Sequence, residues 1–221
     1  MAAKSKEKRL EPQNSRESLK LLYDISREFA AALDLRTVLQ RVLDLSMQNV
    51  GAISGSILVL DDHGRLVESA ITTGSQFHDQ TTEQLRITFE RGLAGWVIRN
   101  RQAVLLPDTS KDERWVSRTE EAGEPAAAKS AVSAPILARE QLVGAITLVH
   151  PAPGFFTREH LNLVQAIADQ AGIAILNARL YAESQRQTLM MAALAESSAV
   201  ITSSLKLDDV LERILEQINH V

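Results

Sequence analysis

From Ser18 onward apolar residues recur at three- and four-residue steps. Leu22, Ile25, Phe29 and Leu33 fall on one side, and Lys20, Asp24, Arg27 and Glu28 on the other. This pattern predicts an amphipathic helix. Asp34 suits the N-cap of a second helix carrying Val38, Val42 and Leu45, and Gly51 its stop. The period then shortens. Ser56 to Leu60 and Arg65 to Thr73 are β-rich runs around Asp61-Asp62-His63-Gly64, a hairpin signature. Leu85 to Phe89 predicts a third strand, Gly92 to Arg101 a short helix that packs closely at Gly95, and Val104 to Leu106 a short strand. Pro107 to Pro125 reads as loop. Lys129 to Leu137 and Gln141 to Val149 predict a second hairpin around Ala138-Arg139-Glu140, and Thr157 a cap for a long last helix.

That last helix changes character along its length. Leu161, Val164, Ile167, Ala168 and Ala171 share one side, with Asn162, Gln165 and Asp169 opposite, as for a helix lying on a sheet. After Gly172 the polar side acquires Ile173, Leu176 and Leu180. A helix apolar on two faces needs two packing partners, and a second copy of the chain is the economical candidate for the other. Further on, the opening helices recur. Leu22, Ser26, Leu33, Leu35, Val38, Leu39, Arg41 and Leu43 return at a constant offset as Leu194, Ser198, Leu205, Leu207, Val210, Leu211, Arg213 and Leu215. The reading is therefore a fragment of a longer tandem protein. Its parts are an N-terminal arm over 1–17, a domain over 18–183, a connecting helix over 184–205 and the truncated start of a second such domain over 206–221.

Composition narrows the chemistry. With 221 residues, 45% of them hydrophobic, the chain can bury a real core. It has no cysteine, which removes disulfides, thiolate nucleophiles, Cys-ligated zinc and iron–sulfur clusters together. A net charge of −4 gives no general attraction to nucleic acid or anionic lipid. The Lys4, Lys6, Lys8, Arg9 cluster is interleaved with Glu7 and Glu11 and reads as a solvated arm. No apolar run reaches the ~18–20 residues that span a bilayer, so a cytoplasmic protein with neither membrane nor nucleic-acid partner is expected.

Six segments in order carry a resemblance. They are Leu-Asp-Leu-x-x-Val-Leu (Leu33 to Leu39), Glu-Arg-Gly-Leu-Ala-Gly-Trp-Val (Glu90 to Val97), Asp-x-x-x-Asp-x-Arg-Trp (Asp108 to Trp115), Lys-Ser-x-x-x-x-Pro-Ile (Lys129 to Ile136), Leu-Val-Gly-Ala-Ile (Leu142 to Ile146) and Ala-x-Gln-x-Gly-Ile-Ala-Ile-x-Asn-Ala-Arg-Leu-Tyr (Ala168 to Tyr181). Together they resemble the GAF domain family, small-molecule sensor modules related to PAS domains. The resemblance implies an α+β fold: a GAF/PAS-like antiparallel sheet flanked by helices, with a long C-terminal signalling helix and, where a ligand binds, a pocket between the sheet's other face and the long connections.

The family's chemistries can be tested on the residues. Bilin attachment and free methionine sulfoxide reduction both use cysteine, which is absent. The cyclic-nucleotide signature, Asn-Lys followed by Phe-x-x-x-Asp-Glu, stands here as His150-Pro151 and Phe155-x-x-x-Glu159-His160, degraded in both halves. Of the five histidines, His63 falls in a turn, His160 in a first helical turn and His220 in the tail, and neither His78 nor His150 has a companion ligand. No metal or other cofactor is expected. Asp108, Asp112 and Arg114 read as loop architecture, with Asp108 capping, Arg114 pairing with a loop carboxylate and Trp115 over the pocket. No catalytic residue is assigned and no enzyme activity is expected.

The functional expectation is a regulatory small-molecule sensor and homodimerisation module of a signal-transduction protein. A histidine kinase of a two-component system, or a related output domain, would lie beyond residue 221. The ligand, an unknown small molecule, is expected to meet Phe77, Phe89, Trp96, Trp115 and Ser133, and the dimer to form through Ile173, Leu176 and Leu180. The alternative is a ligand-free scaffold that only dimerises and relays helix movement.

Overall fold

The computed structural model describes residues 23–29, 34–73, 76–77, 89–116 and 127–204. A first helix, α1, covers residues 23–29 and buries Ile25 and Phe29 in the main core. Helix α2 (Leu35–Val50) starts where Asp34 caps it: the carboxylate accepts from the Thr37 N–H at 2.9 Å and the Thr37 hydroxyl at 2.8 Å. It ends at Gly51, whose left-handed φ of 70° returns its N–H to the Met47 carbonyl. Strands β1 (Ser54–Leu60), β2 (Leu66–Thr73) and β3 (Gln76–Phe77) follow, then α3 (Leu93–Asn100) and β4 (Val104–Leu106). A 3-10 turn over Thr109–Lys111 precedes the β5 (Ser130–Ala138) and β6 (Gln141–His150) hairpin, and α4 (Arg158–Ser204) closes the order.

The six strands form one antiparallel sheet in the order β3-β2-β1-β6-β5-β4. Its central strands read as near-continuous apolar runs because both faces are covered, and the two-residue period sorts their side chains between two cores. Ile57, Val59, Val132, Ala134, Ile136, Ile146 and Leu148 meet α1, α2 and α4 on the helical face. On the outer face Leu60, Ala131, Ala145 and Val149 meet Leu93, Val97 and Ile98 of α3.

Most predicted elements stand within two residues of their observed bounds. One run differs. Leu85, Ile87 and Phe89 alternate as a strand would, yet Phe89 belongs to a helical turn over 89–91 held against α3, where Arg99 donates to the Glu90 carbonyl at 3.1 Å. Residues 85–88 lie outside the described residues, and the strand beyond β2 is Gln76–Phe77, pairing with Thr73 and Thr72. The β5–β6 turn is also tighter than predicted. Arg139 and Glu140 alone make it, both left-handed at φ 48° and 69°, the geometry that matches strand twist in a two-residue hairpin.

The arm over 1–17 and the repeated positions from Leu205 to Leu215 lie outside the described residues. The chain divides into two compact units, Met1–Arg179 and Leu180–Val221. Within the first, α4 lies on the sheet through Val164, Ile167 and Ile175 with the small residues Ala168, Ala171, Ala174 and Ala178, all buried. Closest approach falls at Gly172, where a Cβ would overlap the Leu137 carbonyl oxygen. Within the second, the side chains of residues 180–199 are exposed.

Gly172→Ala is therefore expected to destabilise the fold by about 1–3 kcal/mol, because overpacking against rigid backbone outweighs alanine's better helix propensity. Urea midpoints of the two proteins measure it, and an unchanged or raised midpoint would contradict the close approach.

Candidate functional site

The outer face of the sheet is floored by β5, β6 and β1 and partly roofed by α3 and the 89–116 segment. Register aligns three hydroxyls across that floor. Thr147 of β6 stands opposite Ser133 of β5 and, on its other side, opposite Ser56 of β1. Val104 and Ile71 continue the row at either end. All three hydroxyl residues are buried, at 0% exposure for Ser133, 7% for Thr147 and 6% for Ser56. The Ser133 Oγ donates to the Ile146 carbonyl at 3.0 Å and lies 2.8 Å from the Thr147 Oγ1. Ser56 has no hydrogen-bond partner among the described residues.

Three half-buried aromatics stand over the same core. Phe89 and Trp96 reach it from the two sides of Gly92, and Trp115 from the loop after β4. Gly95 lets these pieces meet, since a Cβ there would overlap the Phe89 carbonyl oxygen. Trp115 is placed by its own N–H, which donates to the Asp112 carbonyl at 3.0 Å. Arg114 lies over the Trp96 ring, 4.6 Å from guanidinium carbon to centroid. The same guanidinium binds Asp112 through two hydrogen bonds of 2.8 and 2.6 Å. That pairing raises the Arg114 pKa and lowers that of Asp112. The cation at this edge is thus already matched.

Of the five sequence-predicted ligand residues, the structure brings four to one face: Phe89, Trp96 and Trp115 in the outer core, and Ser133 beneath it. Phe77 falls in β3 opposite Thr72, and nothing described places its side chain. Ser56 and Thr147 were missed. Their signal was a lone hydroxyl inside each of the runs Ser-Ile-Leu-Val-Leu and Ala-Ile-Thr-Leu-Val, but only strand register reveals that they adjoin.

Asp108 caps the 3-10 turn, accepting from the Ser110 N–H at 3.0 Å and hydroxyl at 2.7 Å, with Lys111 Nζ at 2.8 Å. Two histidines also have structural work. The His150 Nδ1 accepts from the Ala152 N–H at 3.1 Å while its ring stacks on Phe155, centroids 3.6 Å apart. The His160 Nδ1 accepts from the Thr157 N–H at 3.2 Å, and the Thr157 Oγ1 accepts in return from the His160 N–H at 3.4 Å, a reciprocal cap on α4. Among the described residues no three His, Cys, Asp or Glu side chains are grouped to hold a metal, and no helix is long and apolar enough to cross a membrane. His78 and His220 lie outside the described residues.

For the proposed dimer positions, Ile173 is 50% and Leu180 60% exposed. Leu176 is half-buried and packs against the helical-face core. It sits at the margin of its own domain, offset from the other two around the helix by the 100° advance per residue.

The model of the GAF domain family matches residues 32–176, and the chain belongs to that family, regulatory sensor modules of signalling proteins. A probable 3',5'-cyclic phosphodiesterase pde-5 from Caenorhabditis elegans is 23% identical over 173 residues, which are 75% of this chain and 24% of that protein. The chain thus spans about a quarter of that relative's length. The GAF domain of a phosphoenolpyruvate-protein phosphotransferase from Coxiella burnetii superposes with a TM-score of 0.59 at 22% identity, over 77% of this chain and 99% of that one. Free methionine-R-sulfoxide reductase from Neisseria meningitidis, solved with its substrate, gives 0.58 at 13% identity over 81% and 96%. Likenesses at these identities establish the shared fold.

Lys111 and then Ser110 hold the Asp108 carboxyl down from about 3.8 to about 2. A depressed acid stabilises the folded state above its unfolded value and loses that contribution as pH falls through the folded one. The Asp108 cap is expected to persist at pH 3 and to fail near pH 2. The Ser110 amide shift followed by NMR against pH checks it, and a midpoint near 4 would contradict the assigned partners.

Proposed function

We propose that this chain is a small-molecule sensor and homodimerisation module that acts in the cytoplasm and has no catalytic activity of its own. The ligand would sit on the outer face of the sheet, over Ser133, Thr147 and Ser56 and against Phe89, Trp96 and Trp115. The observation that carries this reading is the chemistry of that floor. A face buried only for stability needs apolar side chains, since a buried hydroxyl costs free energy unless it is hydrogen-bonded. Here three hydroxyls lie side by side under aromatics, and one of them lacks a partner among the described residues.

The dimer is supported by Ile173 and Leu180, seven residues apart and each at least half exposed on α4. That spacing is a coiled-coil repeat. A signal would pass from the sheet into α4 as a small slide or rotation of packed helices. The output domain that receives it, a histidine kinase or a related transmitter, belongs to this proposal as well. The ligand-free relay is the second reading. Ser133 favours it, being fully buried with its proton donated inside the protein.

Native mass spectrometry of the protein purified from its own source tests the sensor. A bound species of constant mass, lost on denaturation, is the expected result, and bare protein that also takes up no small molecule on its outer sheet face would leave the relay reading. Sedimentation tests the dimer. The parent chain is expected to be dimeric at micromolar concentration and the Ile173→Glu, Leu180→Glu variant to be a folded monomer, whereas a monomeric parent would remove the interface.

A further inference from the structure

We infer that the ligand of the outer face is an uncharged molecule that presents a planar amide or lactam edge, an N–H beside a C=O, to Thr147 and Ser56. The inference rests on the sensor reading above and adds the chemical class of the ligand.

A serine or threonine hydroxyl has one proton to donate and two lone pairs to accept with. The Ser133 proton is committed to the Ile146 carbonyl. In the 2.8 Å contact between Ser133 and Thr147 the proton must therefore come from Thr147. Thr147 is left with lone pairs only. It faces the site as an acceptor that cannot donate, and a hydrogen-bond chain runs one way from Thr147 through Ser133 to the Ile146 carbonyl. Ser56, directly across β6 from β5, has its single proton free among the described residues although it is only 6% exposed.

An obligate acceptor therefore stands beside an available donor, on directly opposed positions of adjacent antiparallel strands, whose Cβ atoms lie about 4.5–5.5 Å apart. The complement is a donor and an acceptor on one rigid edge, with hydrogen-bond directions that diverge enough to reach both hydroxyls. A cis amide or lactam supplies this, its N–H pointing at the Thr147 Oγ1 and its carbonyl accepting from the Ser56 hydroxyl. Both sites can be met without rotating either group, as when a carboxamide reads a paired edge.

Among the described residues the floor around this pair carries no charge. The same-face neighbours two residues along each strand are Ala131, Pro135, Ala145, Val149, Ser54 and Leu58, and the row ends at Val104 and Ile71; none is ionisable. At the rim the Arg114 cation is paired with Asp112. A carboxylate or ammonium laid over Thr147 would lose its hydration without gaining a counter-charge. A carboxylate would in addition meet the Thr147 lone pairs.

Three fragments of like size separate the possibilities when titrated into the isotope-labelled chain and followed by two-dimensional NMR: toluene, benzamide and benzoate. Toluene reports whether the face admits a molecule at all. Benzamide is expected to perturb the amides of Ser56, Ser133 and Thr147 more tightly than toluene does, and benzoate not to bind there. Thr147→Val should weaken benzamide about three- to tenfold and leave toluene unchanged. Ser56→Ala should do the same and serves if the valine variant loses its dispersed spectrum. Toluene bound with benzamide no tighter, or benzamide indifferent to both substitutions, would overturn the amide assignment while the sensor reading stands. Benzoate binding as well as benzamide would overturn the exclusion of charge. If none of the three perturbs these amides, the sensor reading fails and this inference falls with it.

Discussion

The backbone of α4 touches the backbone of the sheet at Gly172 over Leu137, and the helical face is built outward from that contact. Helix and sheet ordinarily stand about 10 Å apart, separated by two layers of side chains. Here the alanines at 168, 171, 174 and 178 and the bare Gly172 remove most of one layer. The larger residues Val164, Ile167 and Ile175 share one core with the buried residues of α1 and α2. A helix held this tightly has few ways to respond to the sheet beyond sliding or rolling along it. The same contact keeps Arg179 near the end of β1, where its guanidinium donates to the Leu60 carbonyl and burial lowers its pKa. Leu60 places its side chain in the outer core, so one residue belongs to the outer face and to the helix anchor together.

Helices, hairpins and their order were legible because local physics settles them. Asp34 caps, Gly51 stops, Asp61 turns the chain by accepting from the His63 and Arg65 N–H groups, and the 3.6-residue period of α2 points Val38, Val42 and Leu43 inward. Local physics also misled at Phe89, the one described residue of the Leu85 to Phe89 run. There a two-residue alternation was visible, yet the tertiary demand of α3 draws Phe89 into a helical turn.

The site was legible only in part. Aromatics stand out in a chain that is 4% aromatic, so Phe89, Trp96 and Trp115 could be singled out, and Ser133 lay in a segment shared with the family. Ser56 and Thr147 could not be joined to them, because their adjacency depends on which residues of β1 and β6 face each other across the sheet. One step of register in any of the three strands would send its hydroxyl to the opposite face. Leu176 illustrates the same limit on a helix, where a stripe counted in sequence does not say how far the domain's own core spreads around the axis.

The pairing of β1 with β6 also orders events in time. Ser54 lies opposite Val149, and β6, the strand between β1 and β5 in the finished sheet, is the last of the described strands to leave the ribosome. Until then α2, β1 and β2 can form a helix and a hairpin, but β1 presents an unpaired edge and an apolar face with no α4 to cover it. Closing a loop of about ninety residues is slow compared with making either hairpin, so the central pairing waits for β6. A nascent domain of this topology therefore spends its elongation exposed to its neighbours. The β1 edge of another nascent copy of this chain is the competitor that β6 must outpace.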